Sequence, residues 1–323
     1  MNELDGPNRN CFRSLSPVAG RATGPAPVSA RDDRFQSADE RDGVVCGPSW
    51  PVISLATLGA LINTAGVVHA QVQAPQPPAP GPTLMRANGR QVEDDPPLVV
   101  AHRGSTENAV ENSLEAFRDA LADGADAIEL DVHLTLDRDL VVIHDDTLDR
   151  TYGRPGVVRN MTSAELREIG VPMLSDVLAL PTDCKLIVEI KHPKGGHHQG
   201  IEQVLVDQLH RAGADDRAIV ISFDETSLKK LEEIEPELPT GYLYSGRPID
   251  PKQVRDELGI EYLGPNFALV HENYVSEAHE AGLKVNPWTV NTTRDQRRMI
   301  ALDVDAITTD NAGQLVNLLQ YDR

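Results

Sequence analysis

Three acidic residues lie inside apolar runs, where ionisable side chains are uncommon. Glu129 and Asp131 belong to the run 127–134, Ala-Ile-Glu-Leu-Asp-Val-His-Leu, and Glu189 belongs to the run 185–191. Taken alone, the first run could be a half-buried strand with Glu129 and Asp131 on its solvent-exposed face. Three carboxylates brought together would instead repel one another unless a cation lay between them. Such an all-oxygen set suits Ca²⁺ or Mg²⁺ better than zinc, so the sequence predicts a divalent cation here.

Two histidines follow two other apolar runs. His102 comes after the run 98–101, and His144 comes after the run 140–143. A single histidine at a strand end is commonly a hydrogen-bonded structural residue. Two histidines on either side of a bound substrate can instead act as general base and general acid near neutral pH. Their position at the ends of consecutive predicted strands favours catalysis, and leaves open which of them is the acid.

Two cationic residues accompany these groups. Arg103 follows His102 directly, and Lys191 lies two residues after Glu189. Each has a structural alternative, because Arg103 could be an ordinary ion-pair partner and Glu189-Ile190-Lys191 could be a surface pair. Next to the carboxylates and histidines, they would supply the fixed positive charge that an anionic substrate and its transition state need.

The elements that carry these residues alternate between strand and helix patterns, which is typical of an α/β domain with a parallel sheet. About eight strands are predicted, at 98–103, 127–134 with its continuation 139–144, 185–191, 218–223, 240–244, 261–264, 284–289 and 305–309. Helices are predicted at 113–123, 174–180, 201–212, 225–235, 252–258, 272–281, 294–301 and 312–319. Eight such units fit a (β/α)8 TIM barrel, whose active sites lie at the C-terminal ends of the strands. A doubly wound open sheet is the alternative.

One connection is longer than the others. The stretch 147–170 contains Gly153, Pro155 and Gly156 and exceeds the usual length of a strand–helix connection. It is predicted to be an extended piece that forms a small excursion over the barrel mouth, after the second strand.

The N-terminal part of the chain has a different composition. Residues 1–50 are predicted to be disordered, 51–70 to be the apolar region of a signal peptide or an anchor, and 71–95 to be a Pro-rich linker. The barrel domain would then span 96–323. Cleavage after Ala70 would make the protein periplasmic or secreted. The apolar segment starts late, and the nearest basic residue before it is Arg41. These two features leave a membrane-anchored or a cytoplasmic protein as alternatives.

The net charge limits the possible partners, and the cysteine content limits the possible disulfides and metal sites. The 323-residue chain has a formal net charge of -20, which argues against nucleic acid as a partner. It contains three cysteines, of which only Cys184 would remain after cleavage, so the mature chain would have neither an internal disulfide nor a thiolate metal cluster.

Beyond these patterns, the sequence from about residue 98 to 319 resembles the glycerophosphodiester phosphodiesterase family. The long central motif is highly specific, and several shorter motifs accompany it. They are AHRG at 101–104, ENS at 111–113, AIELDVHLTLDRDLVVIHDDTLDRT at 127–151, IVEIK at 187–191, KVNPWTVNT at 284–292 and VDAITTD at 304–310.

The resemblance implies a (β/α)8 fold and a small-molecule glycerophosphodiester as substrate. It implies hydrolysis to sn-glycerol 3-phosphate and an alcohol, with the glycerol 2-hydroxyl attacking phosphorus and water opening the resulting cyclic phosphate. Residue by residue, it places a divalent metal on Glu129, Asp131 and Glu189, acid–base catalysis on His102 and His144, and substrate contacts on Arg103, Lys191 and Trp288.

Several positions leave questions open. Val110, Ser113 and the pair Asn286-Pro287 depart from the family pattern and put the choice of substrate in doubt, so a lysophospholipase D or a sphingomyelinase D-like enzyme is an alternative. A non-catalytic binding protein is a remote one. Glu111 could orient Arg103 or cap a helix. The segment 195–198, Gly-Gly-His-His, could be a solvated loop or contribute a second metal or substrate contact.

Overall fold

The computed structural model describes residues 96–321 of the chain. The interpretations of 1–50, 51–70 and 71–95, including the signal peptide, therefore lie outside the described residues and stay predictions.

Eight parallel strands form a nearly closed barrel in the order β8-β7-β6-β5-β4-β2-β1-β9, and β3 pairs with β2 from outside this series. Backbone hydrogen bonds from Asp305 to Val285 and from Thr308 to Pro287, both 3.0 Å, join the two ends of the series. The (β/α)8 prediction is therefore confirmed. The strands are β1 (Leu98–Ala101), β2 (Ala127–Leu134), β3 (Leu140–Val142), β4 (Lys185–Ile190), β5 (Ala218–Ser222), β6 (Thr240–Tyr244), β7 (Tyr262–Pro265), β8 (Lys284–Val285) and β9 (Ala306–Thr309).

Helices separate the parallel strands. Between residues 96 and 321, none of them is both long enough and apolar enough to cross a membrane. The helices are α1 (Leu114–Ala122), α2 (Asp149–Tyr152), α3 (Ser163–Ile169), α4 (Leu174–Leu178), α5 (Ile201–Ala212), α6 (Glu225–Ile234), α7 (Pro251–Leu258), α8 (Glu272–Glu280), α9 (Thr293–Ala301) and α10 (Ala312–Tyr321).

The alternation of side chains along β2 places its large apolar residues on one face and its ionisable residues on the other. Ile128, Leu130 and Val132 are buried in the large apolar cluster between the strands and the helices. Ala127 belongs to the small apolar cluster on the opposite side of the strands, inside the barrel. Residues two positions apart share a face, so Glu129 also points toward the barrel interior and not toward the helices.

The stretch 139–144 was predicted to continue the second strand, and this is wrong. β3 runs antiparallel to β2 and pairs Leu140 with Leu134 and Val142 with Val132. Thr135 to Asp139 turn the chain, because the Thr135 hydroxyl donates to Asp137 at 2.7 Å and the Thr135 amide donates to the carbonyl of Asp139 at 2.9 Å. The hairpin consequently brings residue 144 back to the rim of the barrel.

The excursion after the hairpin is not an extended piece, as the sequence had indicated, but contains α2, α3 and a short 3₁₀ helix at Val158–Asn160. The glycines and the proline of this stretch had indicated an extended connection, so these short helices were not predicted. The excursion has its own apolar core, in which Leu148, Val158 and Leu166 pack together. Thr162 and Glu165 form a capping box at the start of α3.

Candidate active site

A cavity of about 240 Å³ opens at the C-terminal ends of the strands. Parallel strands deliver their ends to one edge of the barrel, so residues distant in sequence meet there. Asp131 lies beside the cavity with no exposed surface. The other seven residues predicted to form the site line the cavity, namely His102, Arg103, Glu129, His144, Glu189, Lys191 and Trp288.

The register of the sheet brings the three predicted metal ligands together. β2 and β4 pair Asp131 directly with Glu189, and Glu129 lies one pleat earlier on the same face of β2. One oxygen from each carboxylate lies within 4.8 Å of the others, and all three side chains are buried. These oxygens could hold a hard divalent cation.

The three carboxylates titrate differently because their surroundings differ. Burial, together with repulsion from Asp131 and Glu189, raises the pKa of Glu129 well above its ordinary value. Burial raises the pKa of Glu189 to about 7, although Lys191 acts in the opposite direction. Burial would also raise the pKa of Asp131, but Lys191 and Arg103 outweigh it and hold this pKa below its ordinary value. Without a cation, the cluster retains protons that a metal would displace.

The contacts around Asp131 fit this interpretation. Asn112 donates to its Oδ2 at 2.7 Å, which fixes the orientation of the carboxylate. The other oxygen, Oδ1, is buried without a hydrogen bond, and Lys191 Nζ contacts it only as an ion pair at 3.2 Å. A buried carboxylate oxygen with an unused lone pair is suited to a metal ion.

The raised pKa of Glu189 predicts how the metal-free protein responds to pH. The folded state holds this proton up to about 7, whereas the ordinary value for glutamate is 4.5. The folded state thus binds more protons in this window, so the contribution of Glu189 to stability is present below 4.5 and is lost as pH rises through 7. The loss amounts to at most about 1.4 kcal/mol per pH unit.

This dependence is measurable as the unfolding free energy of wild type minus that of Glu189→Gln, in urea with EDTA. This difference in unfolding free energy should decrease between about pH 5.5 and about pH 8. Burial lowers the pKa of His133 to about 4, which changes stability in the opposite direction, but it does so in both proteins and cancels. A difference that stays constant across this range would contradict the protonated state of Glu189.

His102 is oriented by a carboxylate. Its Nδ1 lies 2.6 Å from Oδ1 of Asp310, which follows β9. Asn291 donates to the other oxygen of Asp310, also at 2.6 Å. The carboxylate fixes the tautomer in which Nδ1 carries the proton and leaves Nε2 of His102 for a substrate.

His144 has a similar partner, which belongs to a network of ion pairs. Its Nδ1 lies 2.7 Å from Oδ1 of Asp145, and Arg150 of the excursion donates to Oδ2 of Asp145 at 2.6 Å. Arg150 also donates two hydrogen bonds to Glu111, which accepts a third from Arg103 at 3.1 Å. Burial, followed by the charge of Lys191, lowers the pKa of His144 below its ordinary value.

The role of Glu111, which the sequence left open, is resolved by these contacts. Ser113 is the residue that caps α1, since its hydroxyl accepts from the amide of Ala116. Glu111 therefore orients Arg103 and Arg150. The Arg103 backbone also donates from its amide to Glu129 at 2.9 Å, which ties the His102–Arg103 turn to the carboxylate cluster.

One wall of the cavity is apolar. Trp288 donates from Nε1 to the carbonyl of Gly264 at 2.7 Å and meets Phe223 edge to face, with ring centroids 5.5 Å apart. Phe223 remains 45% exposed, and Ile221 and Leu243 complete the wall. A half-exposed aromatic pair at a barrel mouth can pack against the glycerol or the alcohol of a ligand.

Sequence reasoning missed several residues that shape the site. Asp310 lies within the quoted VDAITTD motif and Asp145 lies next to His144, but neither was assigned a role at the site. Arg150 lies five positions from Asp145 but 39 from Glu111, and Asn291 lies 19 positions from Asp310. The two longer contacts depend on the fold. Phe223, just beyond the end of β5, had no signal distinguishing it from a core residue.

The arrangement can therefore bind a phosphodiester and move protons around it. Two imidazoles, each with a carboxylate on Nδ1, line the same cavity as Arg103 and Lys191. The carboxylate cluster provides a place for a cation beside them. This combination of acid–base groups and positive charge is suited to phosphoryl transfer.

Comparisons with known proteins agree with this geometry. Residues 102–314 match the model of the glycerophosphoryl diester phosphodiesterase family. A glycerophosphodiester phosphodiesterase from Caldanaerobacter subterraneus subsp. tengcongensis is 35% identical over 237 residues, which cover 69% of this chain and 98% of that protein.

Solved structures are similar as well. A glycerophosphodiester phosphodiesterase from Parabacteroides distasonis has a TM-score of 0.61 and 28% identity, covering 70% of this chain and 98% of that one. An Oleispira antarctica phosphodiesterase in complex with the product sn-glycerol-3-phosphate has a TM-score of 0.63 and 26% identity, covering 69% of this chain and 97% of that one.

Proposed function

Because the chain belongs to the glycerophosphoryl diester phosphodiesterase family and has that family's activity, we propose that it releases sn-glycerol 3-phosphate by metal-dependent His/His catalysis. The observation that carries the proposal is that His102 and His144, each held by a carboxylate, line one cavity together with Glu129 and Glu189.

The histidines would move the protons in two steps. In the first, one imidazole takes the proton of the glycerol 2-hydroxyl as its oxygen bonds to phosphorus. The other gives a proton to the alkoxide as the bond from phosphorus to the alcohol breaks. In the second, a water molecule opens the cyclic phosphate, and each imidazole returns to its starting state by the reverse transfer. Asp310 and Asp145 support these transfers because a carboxylate on Nδ1 stabilises the imidazolium that forms.

The negative charge at phosphorus would be met by cations of the chain. Lys191 lies 2.6 Å from Glu189, and Arg103 lies 3.2 Å from Asp131, so both are held at the floor of the cavity. Their charge is permanent near neutral pH, because the nearby carboxylates outweigh burial and raise the pKa of each. Glu129, Asp131 and Glu189 would hold Ca²⁺ or Mg²⁺, which when bound polarises the phosphoryl oxygen as a Lewis acid.

The apolar wall of the cavity is compatible with one alternative class of substrate. A lysophospholipase D or sphingomyelinase D-like enzyme needs an apolar surface beside its site, and Phe223 and Trp288 provide one. The rest of the cavity is small and charged, which favours a short, water-soluble glycerophosphodiester.

Turnover of two substrates distinguishes these possibilities. We expect the full chain to release choline from glycerophosphocholine with a higher kcat/KM than from lysophosphatidylcholine, measured below the micelle concentration of the lipid. The same assay with both substrates in detergent controls for the physical state of the lipid. A higher kcat/KM for the lysolipid would assign the enzyme to the alternative class.

The place of action is also a proposal. The apolar segment 51–70 followed by the Pro-rich segment 71–95 supports an enzyme that is exported to the periplasm or secreted.

A further inference from the structure

A second group of potential metal ligands lies next to the active-site cavity, outside the carboxylate cluster. His192 directly follows Lys191, and Asp224 directly follows Phe223, so each adjoins a cavity residue. His197 belongs to the connection between β4 and α5. Among residues 96–321, these three side chains are one of two groups that could hold a metal ion, and the carboxylate cluster is the other.

The spacing of the three side chains fits a tetrahedral ion. His192 Nε2 and His197 Nδ1 lie 3.2 and 3.4 Å from the same oxygen, Oδ2 of Asp224. In a tetrahedral site with bonds of about 2.0–2.1 Å, neighbouring ligand atoms lie about 3.3 Å apart. Hydrogen bonds between nitrogen and oxygen are shorter, typically about 2.9–3.0 Å. Both distances match ligands around a shared ion better than strong hydrogen bonds.

The donor types distinguish this group from the carboxylate cluster. Two imidazoles and one carboxylate are a set that zinc binds well, whereas Ca²⁺ and Mg²⁺ prefer oxygen alone. The imidazole rings of His192 and His197 are 4.6 Å apart. His197 is 52% exposed at its side chain, which gives an ion access from solvent and leaves room for water as a further ligand.

The buried carboxylate of Glu202 lies near His192, and its Oε1 is 3.6 Å from Lys230 Nζ. Ser227 donates to Glu202 at 2.7 Å and lies 3.1 Å from His192 Nε2. Glu202 is only 2% exposed, and its Oε2 has no hydrogen-bond partner. His192 Nδ1 is also buried without a partner. The negative charge of this buried carboxylate favours a nearby cation.

A purely structural explanation accounts for only part of these contacts. Asp224 caps α6 by accepting from the amide of Ser227 at 3.0 Å, and this role alone would justify an aspartate at the position. It does not explain why two imidazoles converge on the same oxygen. The neighbouring His198 makes a different contact, because its Nε2 lies 3.0 Å from His133 Nδ1 and is used there.

We propose that His192, His197 and Asp224 bind a Zn²⁺ ion that cross-links the connection after β4 to the N-cap of α6. The connection contains Gly195 and Gly196, which lower its intrinsic stiffness, so a cross-link at His197 would restrict it. Because Lys191 and Phe223 adjoin the ligands, the ion would also hold the segments that carry these two cavity residues.

The test is a zinc titration of the full chain after chelation and dialysis, followed by calorimetry with saturating Ca²⁺ present to occupy the carboxylate cluster. We expect one tight equivalent of Zn²⁺ in wild type. His197→Ala should weaken this binding at least roughly 10- to 100-fold. His210→Ala is the matched control, because His210 is a half-exposed histidine in the last turn of α5 that lies 3.2 and 3.1 Å from Asp215 and Glu235 and belongs to neither group of potential metal ligands.

The visible absorption of bound Co²⁺ is a second readout, which reports the coordination geometry of the ion. Co²⁺ in place of zinc should give the intense visible absorption of a four-coordinate ion in wild type and in His210→Ala, and should lose it in His197→Ala. His197 is largely exposed on a connection, so its replacement leaves the fold intact, which thermal unfolding verifies. Unchanged zinc affinity in His197→Ala, or no zinc binding to wild type in the presence of Ca²⁺, would overturn the proposal.

Discussion

Replacing His102 or His144 with alanine is expected to lower kcat on glycerophosphocholine roughly 10²- to 10⁴-fold, the usual contribution of a positioned acid or base. Each replacement removes one of the two groups that exchange protons with the substrate. Neither imidazole belongs to the carboxylate cluster, so KM and metal affinity should change far less than kcat. The pH profile should lose the limb that belongs to the missing histidine.

His210→Ala is the control for this experiment, since it removes a histidine at the C-terminal end of α5, outside the cavity lining. Thermal unfolding of all three variants establishes that each is folded. A variant of His102 or His144 that is folded and retains more than about one tenth of the wild-type kcat would rule out that residue as an acid or base in the reaction.

The second large effect is expected from Glu129→Gln. Glutamine keeps an oxygen that can accept from the Arg103 amide, but it removes the negative charge from the cluster. The affinity for Ca²⁺ or Mg²⁺ should fall. At a fixed metal concentration, kcat/KM should fall roughly 10³-fold, because a Lewis-acid ion contributes several kcal/mol and each 1.4 kcal/mol is a factor of ten.

Raising the metal concentration should restore part of the activity of Glu129→Gln, which separates weak metal binding from misfolding. Glu115→Gln is the matched control, because Glu115 is an exposed glutamate in the first turn of α1. Wild-type metal affinity together with low activity in Glu129→Gln would mean that Glu129 acts on the substrate directly and not as a metal ligand.

The fold could be predicted from the sequence because its signals are local and repeated. The parallel strands are short apolar runs, and most helices between them end close to the predicted boundaries; α5, for example, spans Ile201–Ala212 as expected. The stretch 139–144 was misassigned because its apolar pattern does not distinguish a parallel continuation from an antiparallel return. The turn residues Thr135 and Asp139, whose hydrogen bonds reverse the chain, determine the difference.

The ionisable residues of the candidate site could be predicted from the sequence, whereas the contacts that orient them could not. Glu129 and Asp131 were recognisable because carboxylates are costly in a buried strand. The partners of the histidines depend on tertiary distance: Asp310 lies 208 positions from His102. Arg150 reaches the site only because the excursion folds into α2, an element whose helical pattern is too short to recognise.

The most direct measurement is release of sn-glycerol 3-phosphate from glycerophosphocholine by the full chain, first with EDTA and then with added Ca²⁺ or Mg²⁺. The account predicts no release with the chelator and restored release with one or both cations. Equal release in both conditions would contradict a metal on Glu129, Asp131 and Glu189, and absence of release under every condition would contradict the proposed reaction itself.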